Sequence, residues 1–332
     1  MNPFLTSAPP DDITDLDPRR GRPSILRYNG LKTWLERRFG GPVAKISLDA
    51  GLTCPNRDGA ISTRGCLFCD PKGSGTGAAG RGLTLTEQMQ RGLERLDRRA
   101  SQYFCYFQSF TNTYAEPSRL KAMWDEALSC PGVIGLAVGT RPDCLPEDVL
   151  EILAGYQPRH EVWLELGLQS ASDQTLAAIN RGHTAADFAA AAIRAKARGL
   201  QVIAHVIIGL PGEGDAEILD TARFIGRLGL DGVKIHSLYV SRDTGLAELL
   251  ARGEYHCLTQ DEFVRLAVLF LENLPPPMVI HRLTGDPEPA SLLAPSWCGR
   301  KAETLRLIRQ RLDDLDTWQG RGLGAARPHD QR

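Results

Sequence analysis

Two rhythms of apolar and polar residues alternate along most of the chain. Short apolar runs recur, and between them apolar residues return every third or fourth position. The first rhythm belongs to buried strands, the second to amphipathic helices. Apolar runs at 45–48, 103–107, 133–138, 162–168, 202–208 and 233–240 predict strands. Helical spacing predicts helices at 31–39, 85–96, 120–128, 146–153, 185–198 and 216–228. Leu85, Met89, Leu93 and Leu96 share one face of the second helix, and Thr84 or Thr86 can cap it. Gly40-Gly41-Pro42, Pro131-Gly132, Gly199 and Gly229 supply the breaks.

The strand ends fall near Gln108, Arg141, Gln169, Leu210 and Ser237, about one βα unit apart. Repeated βα units imply parallel strands joined by right-handed crossovers. About six strands are too few to close an eight-stranded barrel. The expected fold is α/β, a partial (β/α)6 TIM-like barrel, with a doubly wound sheet as the alternative. Both place the active site at the C-terminal ends of the strands. After residue 240 the rhythm changes. A helix at 261–274 runs into Pro275-Pro276-Pro277, a short strand is expected at 278–281, and a last helix covers 300–318. The expected division is a flexible arm at 1–28, the barrel at 29–240, a mainly helical extension covering it at 241–318, and a frayed tail at 319–332.

Hydrophobic residues make up 42% and charged residues 24% of the 332, which suits a folded protein and excludes a chain disordered throughout. The N-terminal residues lack a basic region leading into an apolar run, and no apolar stretch approaches a membrane span. A cytoplasmic protein with reduced thiols and no membrane partner is expected. The net charge of -1 argues against a broad polyanion-binding surface. Locally, 19–45 holds eight basic residues against one acidic, Glu36, a strip able to contact phosphates.

Eight cysteines are too few for a disulfide scaffold in this length, but three of them are gathered. Cys54, Cys66 and Cys69 are spaced C-x11-C-x2-C on a Gly-rich loop after the first strand. A structural zinc site wants four ligands, and nothing nearby completes the set neatly. Three thiolates suit a four-iron cluster with one iron left open. A zinc-binding interaction protein and an iron–sulfur electron carrier are the readings from other classes.

The loop and the segments after it resemble the radical S-adenosylmethionine (SAM) superfamily. Its Elp3-like subgroup shares the long first gap, and the YhcC/YtqA family is the nearer match. The resemblance is carried by Cys54-Pro-Asn-Arg-Asp-Gly59, Gly65-Cys-Leu-Phe-Cys69, Tyr106-Phe-Gln-Ser-Phe110 and Val138-Gly-Thr-Arg-Pro-Asp-Cys144. Val162-Trp-Leu-Glu-Leu-Gly-Leu-Gln169, Ile179-Asn-Arg-Gly-His183, Gly209-Leu-Pro-Gly-Glu213 and Leu292-Leu-Ala-Pro-Ser-Trp-Cys298 extend it. It implies a [4Fe-4S] cluster on Cys54, Cys66 and Cys69, with SAM on the open iron. It implies reductive cleavage of SAM to methionine and a 5′-deoxyadenosyl radical that takes a substrate hydrogen. A one-electron donor such as flavodoxin or ferredoxin is implied as a partner. Modification of a tRNA nucleoside is the implied activity, with a small metabolite or peptide as the alternative substrate.

The resemblance also implies residues that grip SAM. Phe68 holds the aromatic place before the last cysteine, and Gln108 and Ser109 sit where related enzymes contact the methionine amino group. Glu165, Gly167 and Gln169 occur at alternate positions and so share one face of a strand. Glu165 needs a cation if buried, either the SAM amino group or Arg141. Gln169 is a candidate ribose ligand, and Gly209–Glu213 resembles an adenine-contacting loop. Arg141 and Arg181 are candidates for the SAM carboxylate or a substrate anion. His183, His205, Lys234 and His236 are candidates for the pocket lining. Cys144 and Cys298 are the catalytic candidates, as thiols able to donate a hydrogen atom to a substrate radical.

Overall fold

In a computed structural model of the chain, residues 14–16, 23–73, 75–96 and 100–328 are described. Seven parallel strands form one sheet in sequential order. They are β1 (Val43–Leu48), β2 (Gln102–Phe107), β3 (Val133–Thr140), β4 (Glu161–Gln169), β5 (Gln201–Ile208), β6 (Gly232–Ser237) and β7 (Val279–Arg282). The sheet curls into a half-barrel and stays open, because β1 and β7 are both edges. The expected partial barrel is thus found, with β7 added from the segment assigned to the extension. A parallel sheet needs its apolar face covered by crossover helices. Those helices are α2 (Leu85–Leu96), α3 (Pro117–Leu128), α4 (Glu147–Tyr156), α5 (Asp173–Ala178), α6 (Ala185–Ala197), α7 (Asp215–Arg227), α8 (Gly245–Ala251) and α9 (Gln260–Glu272). A final helix, α10 (Lys301–Asp314), lies on α9.

The strand expected at 233–240 is interrupted. β6 stops at Ser237, and Val240–Ser241 instead pairs antiparallel with Leu292–Ala294. Thr84 caps α2, accepting from the Glu87 N–H at 3.2 Å while Glu87 accepts from the Thr84 N–H at 2.8 Å. This reciprocal pair satisfies two donors that a helix start leaves open.

The two faces of the sheet do different work. Outward residues such as Ile46, Phe107, Val138, Leu164, Val206 and Ile235 join Trp124, Phe188 and Phe263 in the main core. Inward residues Phe104, Tyr106, Ala137, Trp163 and Ile203 form a second cluster with a helix that precedes the sheet, α1 (Leu31–Phe39). α1 lies against both edge strands, so it spans the seam of the open barrel. Its Leu35, Trp34 and Phe39 close the lower end. Trp163 stacks on Phe104 with centroids 4.1 Å apart, and Trp34 meets its edge at 5.9 Å.

At both ends, described residues of the expected arm and tail are tied to the body of the fold. Residues 1–13, 17–22 and 329–332 lie outside the described residues. Arg27 is held by Asp313 at 3.0 Å and Asp316 at 2.7 Å, and Gly30 bridges to Ile280 on the β7 edge. Gln319, expected to fray, is buried. Its amide donates to the carbonyls of Pro275 at 2.7 Å and Met278 at 2.9 Å, and accepts from the Asn29 N–H at 2.9 Å. Buried carbonyls need such partners, and this tail supplies them.

Candidate active site

The cysteine loop lies at the C-terminal mouth of the half-barrel and opens on a cavity of about 1010 Å³. Cys54, Cys66 and Cys69 all line it, as do Phe68, Gln108, Glu165 and Gln169. Local hydrogen bonds shape the loop. The Cys54 carbonyl accepts from the Arg57 N–H at 2.8 Å, and the Cys69 N–H donates to the Cys66 carbonyl at 3.0 Å. Arg57 donates to the carbonyls of Cys69 and Asp70 at 2.7 and 2.6 Å. The segment between α5 and α6 clamps the loop from across the mouth. Asn180 donates to the Gly65 carbonyl at 2.6 Å, and its own carbonyl accepts from Asn56 at 2.6 Å.

Two side chains donate to a sulfur of the cysteine loop. Asn56 Nδ2 lies 3.4 Å and Arg181 Nη1 3.6 Å from Cys66 Sγ. Such bonds tune the potential of an iron–sulfur cluster. Burial pushes the Cys69 thiol up to about 12, the neighbouring Cys66 adds to this, and Arg57 opposes it. A coordinating metal overrides such a barrier by deprotonating the thiol outright. Among the described residues, no three His, Cys, Asp or Glu side chains gather closely enough to hold one metal ion. A four-iron cluster takes each thiolate on a different iron, so its ligand sulfurs stand farther apart than the ligands of a single ion.

The walls fit a polar cofactor. Asn56 Oδ1, Arg57 Nε, Thr111 Oγ1 and Arg181 Nε are buried without partners, and all four residues line the cavity. Buried polar atoms are rarely left so unless a bound group completes them. Gly167 is the near wall. A Cβ there would stand 2.4 Å from Arg181 Nη2 and 2.8 Å from Gln169 Nε2. Gln169 follows a break in the strand register and adopts φ 77°, a left-handed conformation rare outside glycine. Residues held this way concentrate at ligand sites.

Ser109 does not line the cavity, although its buried hydroxyl has no partner. A Cβ on Gly75 would collide with it. Arg141 lines the cavity but is anchored within the chain by three of its five donors. It makes a two-pronged pair with Asp143 at 2.9 and 2.8 Å and donates to the Arg181 carbonyl at 2.9 Å. His183 Nε2 lies 3.1 Å from the Gly167 carbonyl, bracing the same wall as Arg181. Burial and the two guanidiniums push His183 down to about 3, so it is neutral at pH 7.

Cys144 and Cys298 are buried but do not line the cavity. Cys298 packs at 3.5 Å from Ser237 Oγ, and the Cys144 carbonyl accepts from Thr113. Both thiols therefore sit behind the cavity lining, Cys298 directly behind Ser237, which does line it.

Below the mouth lies a charged layer. Glu165 is fully buried and meets cations of the chain, Lys45 and Lys234 rather than Arg141. Its carboxylate accepts from Lys45 at 3.2 Å, from His205 Nε2 at 2.9 Å and from Lys234. Burial pushes the Glu165 carboxyl up, yet Lys234, Lys45 and His205 together hold it well below the usual carboxylate range. Burial pushes Lys234 down to about 7 and His205 down to about 4. The cations rest on aromatic faces, Lys45 at 4.5 Å from the Trp163 centroid and Lys234 at 4.1 Å from that of Tyr106. Lys45, His281 and Arg282 were not singled out in the sequence as site residues. Lys45 alternates with Ser47 along β1, and that period marks an inward face.

The model of the Radical SAM superfamily matches residues 59–225, half of the chain, and that of the Radical_SAM C-terminal domain matches 230–314. Protein YhcC of Escherichia coli (strain K12) is 40% identical over 291 residues, covering 87% of this chain and 93% of that protein. The chain belongs to the radical SAM superfamily. YtqA of Bacillus subtilis (strain 168) is 36% identical over 297 residues, 89% of this chain and 92% of that protein. The fold of this radical SAM protein also matches an archaeal Elp3 from Methanocaldococcus infernus. The TM-score is 0.63 at 18% identity, over 84% of this chain and 64% of that one. The family's cofactors are a [4Fe-4S] cluster and SAM, and the chain is a radical SAM enzyme. No described helix is long and apolar enough to cross a membrane.

Proposed function

We propose that this enzyme binds its cluster on Cys54, Cys66 and Cys69 and takes a hydrogen atom from a small metabolite held in the barrel. The observation that carries the substrate class is the closed, charged bottom of the cavity, with α1 beneath and Lys45, Glu165 and Lys234 above it. When bound, the cluster and SAM supply a 5′-deoxyadenosyl radical by one-electron cleavage of the sulfonium. The electron comes from a donor of the flavodoxin or ferredoxin type. Phe68, Gln108 and Gln169 orient SAM, and the Gly167 wall lets it approach closely; Ser109, set behind the lining, has no direct part in this. The cavity is at the upper end of single-ligand sites, about 300–1,000 Å³, which leaves room for a second small molecule.

The tRNA reading keeps one support and loses another. Human Elongator complex protein 3 is 31% identical over 157 residues, which is 46% of this chain and 28% of that protein. The basic strip at 19–45, however, has fewer free charges among its described residues than the sequence suggests. Arg19, Arg20 and Arg22 lie outside the described residues. Arg27 and Arg38 are paired within the chain, and Lys45 points into the barrel.

Two measurements test these readings. Anaerobically reconstituted protein with dithionite and SAM is expected to release 5′-deoxyadenosine. Full release after replacing any of the three cysteines by Ala contradicts the ligand assignment. The nucleoside mass profile of tRNA from a deletion strain is expected to match wild type. A missing modified nucleoside overturns the metabolite reading in favour of tRNA.

A further inference from the structure

The charged layer holds more positive than negative groups. Lys45, Lys234 and Arg282 face one internal carboxylate, Glu165, with His205, His236 and His281 between them. Asp286 pairs with Arg282 at 3.4 Å, but its side chain is half exposed and it also serves Lys301 at 2.7 Å. Glu165 already accepts from Lys45 on one oxygen and from Lys234 and His205 on the other. His236 Nε2 and His281 Nδ1 are shielded from water and have no partner. A purely structural ion pair would balance its charges and satisfy its donors. This layer keeps a surplus of cations and leaves two imidazole nitrogens beside the pair without a partner.

We propose that the layer formed by Lys45, Lys234, His236, His281 and Arg282 binds an anionic group of the substrate, a carboxylate or a phosphate. The inference rests on the radical SAM reading of the same cavity and adds the substrate's charge and orientation. The anion would complete the open imidazoles and offset the surplus cations. A second anion in such a low-dielectric pocket is held more strongly than at a surface. The lysines are already fixed over Tyr106 and Trp163, so little side-chain freedom is lost on binding.

Depth sets the orientation. Glu165 and Gln169 are four residues apart on β4, about 13 Å along the strand. The anionic end therefore lies well below the ribose level, and the reacting carbon is presented upward to SAM.

The test uses reconstituted holoenzyme with SAM, and ligand-observed NMR titrations of succinate, inorganic phosphate and neutral succinamide. Succinate or phosphate is expected to bind at least about tenfold more tightly than succinamide, and Lys234→Met or Lys45→Met to weaken that binding about tenfold or more. Iron content and thermal melting control for folding. If either variant fails to fold, the contrast between the anions and succinamide in wild type decides. Preference for a carboxylate or a phosphate identifies which anion the substrate carries. Equal binding of all three probes, or neither anion binding while wild type still cleaves SAM, overturns the proposal and leaves the radical SAM reading standing. Anion binding without SAM cleavage upholds the subsite and removes the reading above it. Stimulation of SAM cleavage by unfractionated tRNA that saturating succinate and phosphate do not inhibit also overturns it.

Discussion

At Lys234 a charge sits where burial resists it. Its ammonium is pushed from an ordinary 10.5 down to about 7 by burial, with Lys45 and Arg282 adding and Glu165 opposing. Between those values the unfolded chain binds more protons than the folded one, so stability rises with pH from about 7 toward 10.5. Lys234→Met is expected to flatten that rise, measured by urea denaturation across neutral and mildly alkaline pH. An unchanged slope contradicts the assignment. Gly167 makes a second prediction. Gly167→Ala puts a methyl against Arg181 and Gln169, a strain of about 1–3 kcal/mol. SAM binding is expected to weaken about tenfold or more while iron content is kept, as read by equilibrium dialysis; unaltered affinity would separate this wall from the SAM site. The cysteines, Gly167 and Gln169 were legible because spacing and alternation fix them on one loop and one face. The partners of Glu165 were not, since they come from β1, β5 and β6, and no local pattern joins three strands. Cys144 and Cys298 sit in strong motifs, but packing decides where a side chain points.

The elements followed their periods closely wherever they were long. The helix expected at 85–96 and α2 have the same bounds, and so do that at 31–39 and α1. α5 and α8 escaped notice, being six and seven residues, less than the window in which helical spacing shows. α1 has the right bounds but a role that its pattern did not reveal. It spans the seam and carries the apolar plug on which the charged layer rests. Trp163 joins the two, stacked on Phe104 below and facing Lys45 above. Trp163→Ala is expected to destabilise by about 3–5 kcal/mol. Urea denaturation checks it, and a loss below 1 kcal/mol, on the order of a surface change, contradicts the plug.

Across the whole molecule, the barrel and its C-terminal segment are less separable than the change of rhythm at residue 240 suggested. That segment supplies β7 and brings Lys301, Leu305 and Arg309 of α10 to the cavity rim. Gln319 ties it to the N-terminal side by bonds to Pro275, Met278 and Asn29. Gln319→Ala leaves those buried groups open and is expected to lower stability by about 2–3 kcal/mol. Denaturant titration reads this, and no loss would mean that the tail is dispensable. The tail's composition, rich in Gly and Arg, hid this role because one buried amide does the anchoring. The central claim is an iron–sulfur cluster with one iron open to SAM. The most direct measurement is iron content together with the electron paramagnetic resonance spectrum of the reduced, anaerobically reconstituted protein, with and without SAM. About four irons per chain and a cluster signal that changes when SAM is added are predicted. One zinc per chain, or a signal indifferent to SAM, contradicts the account.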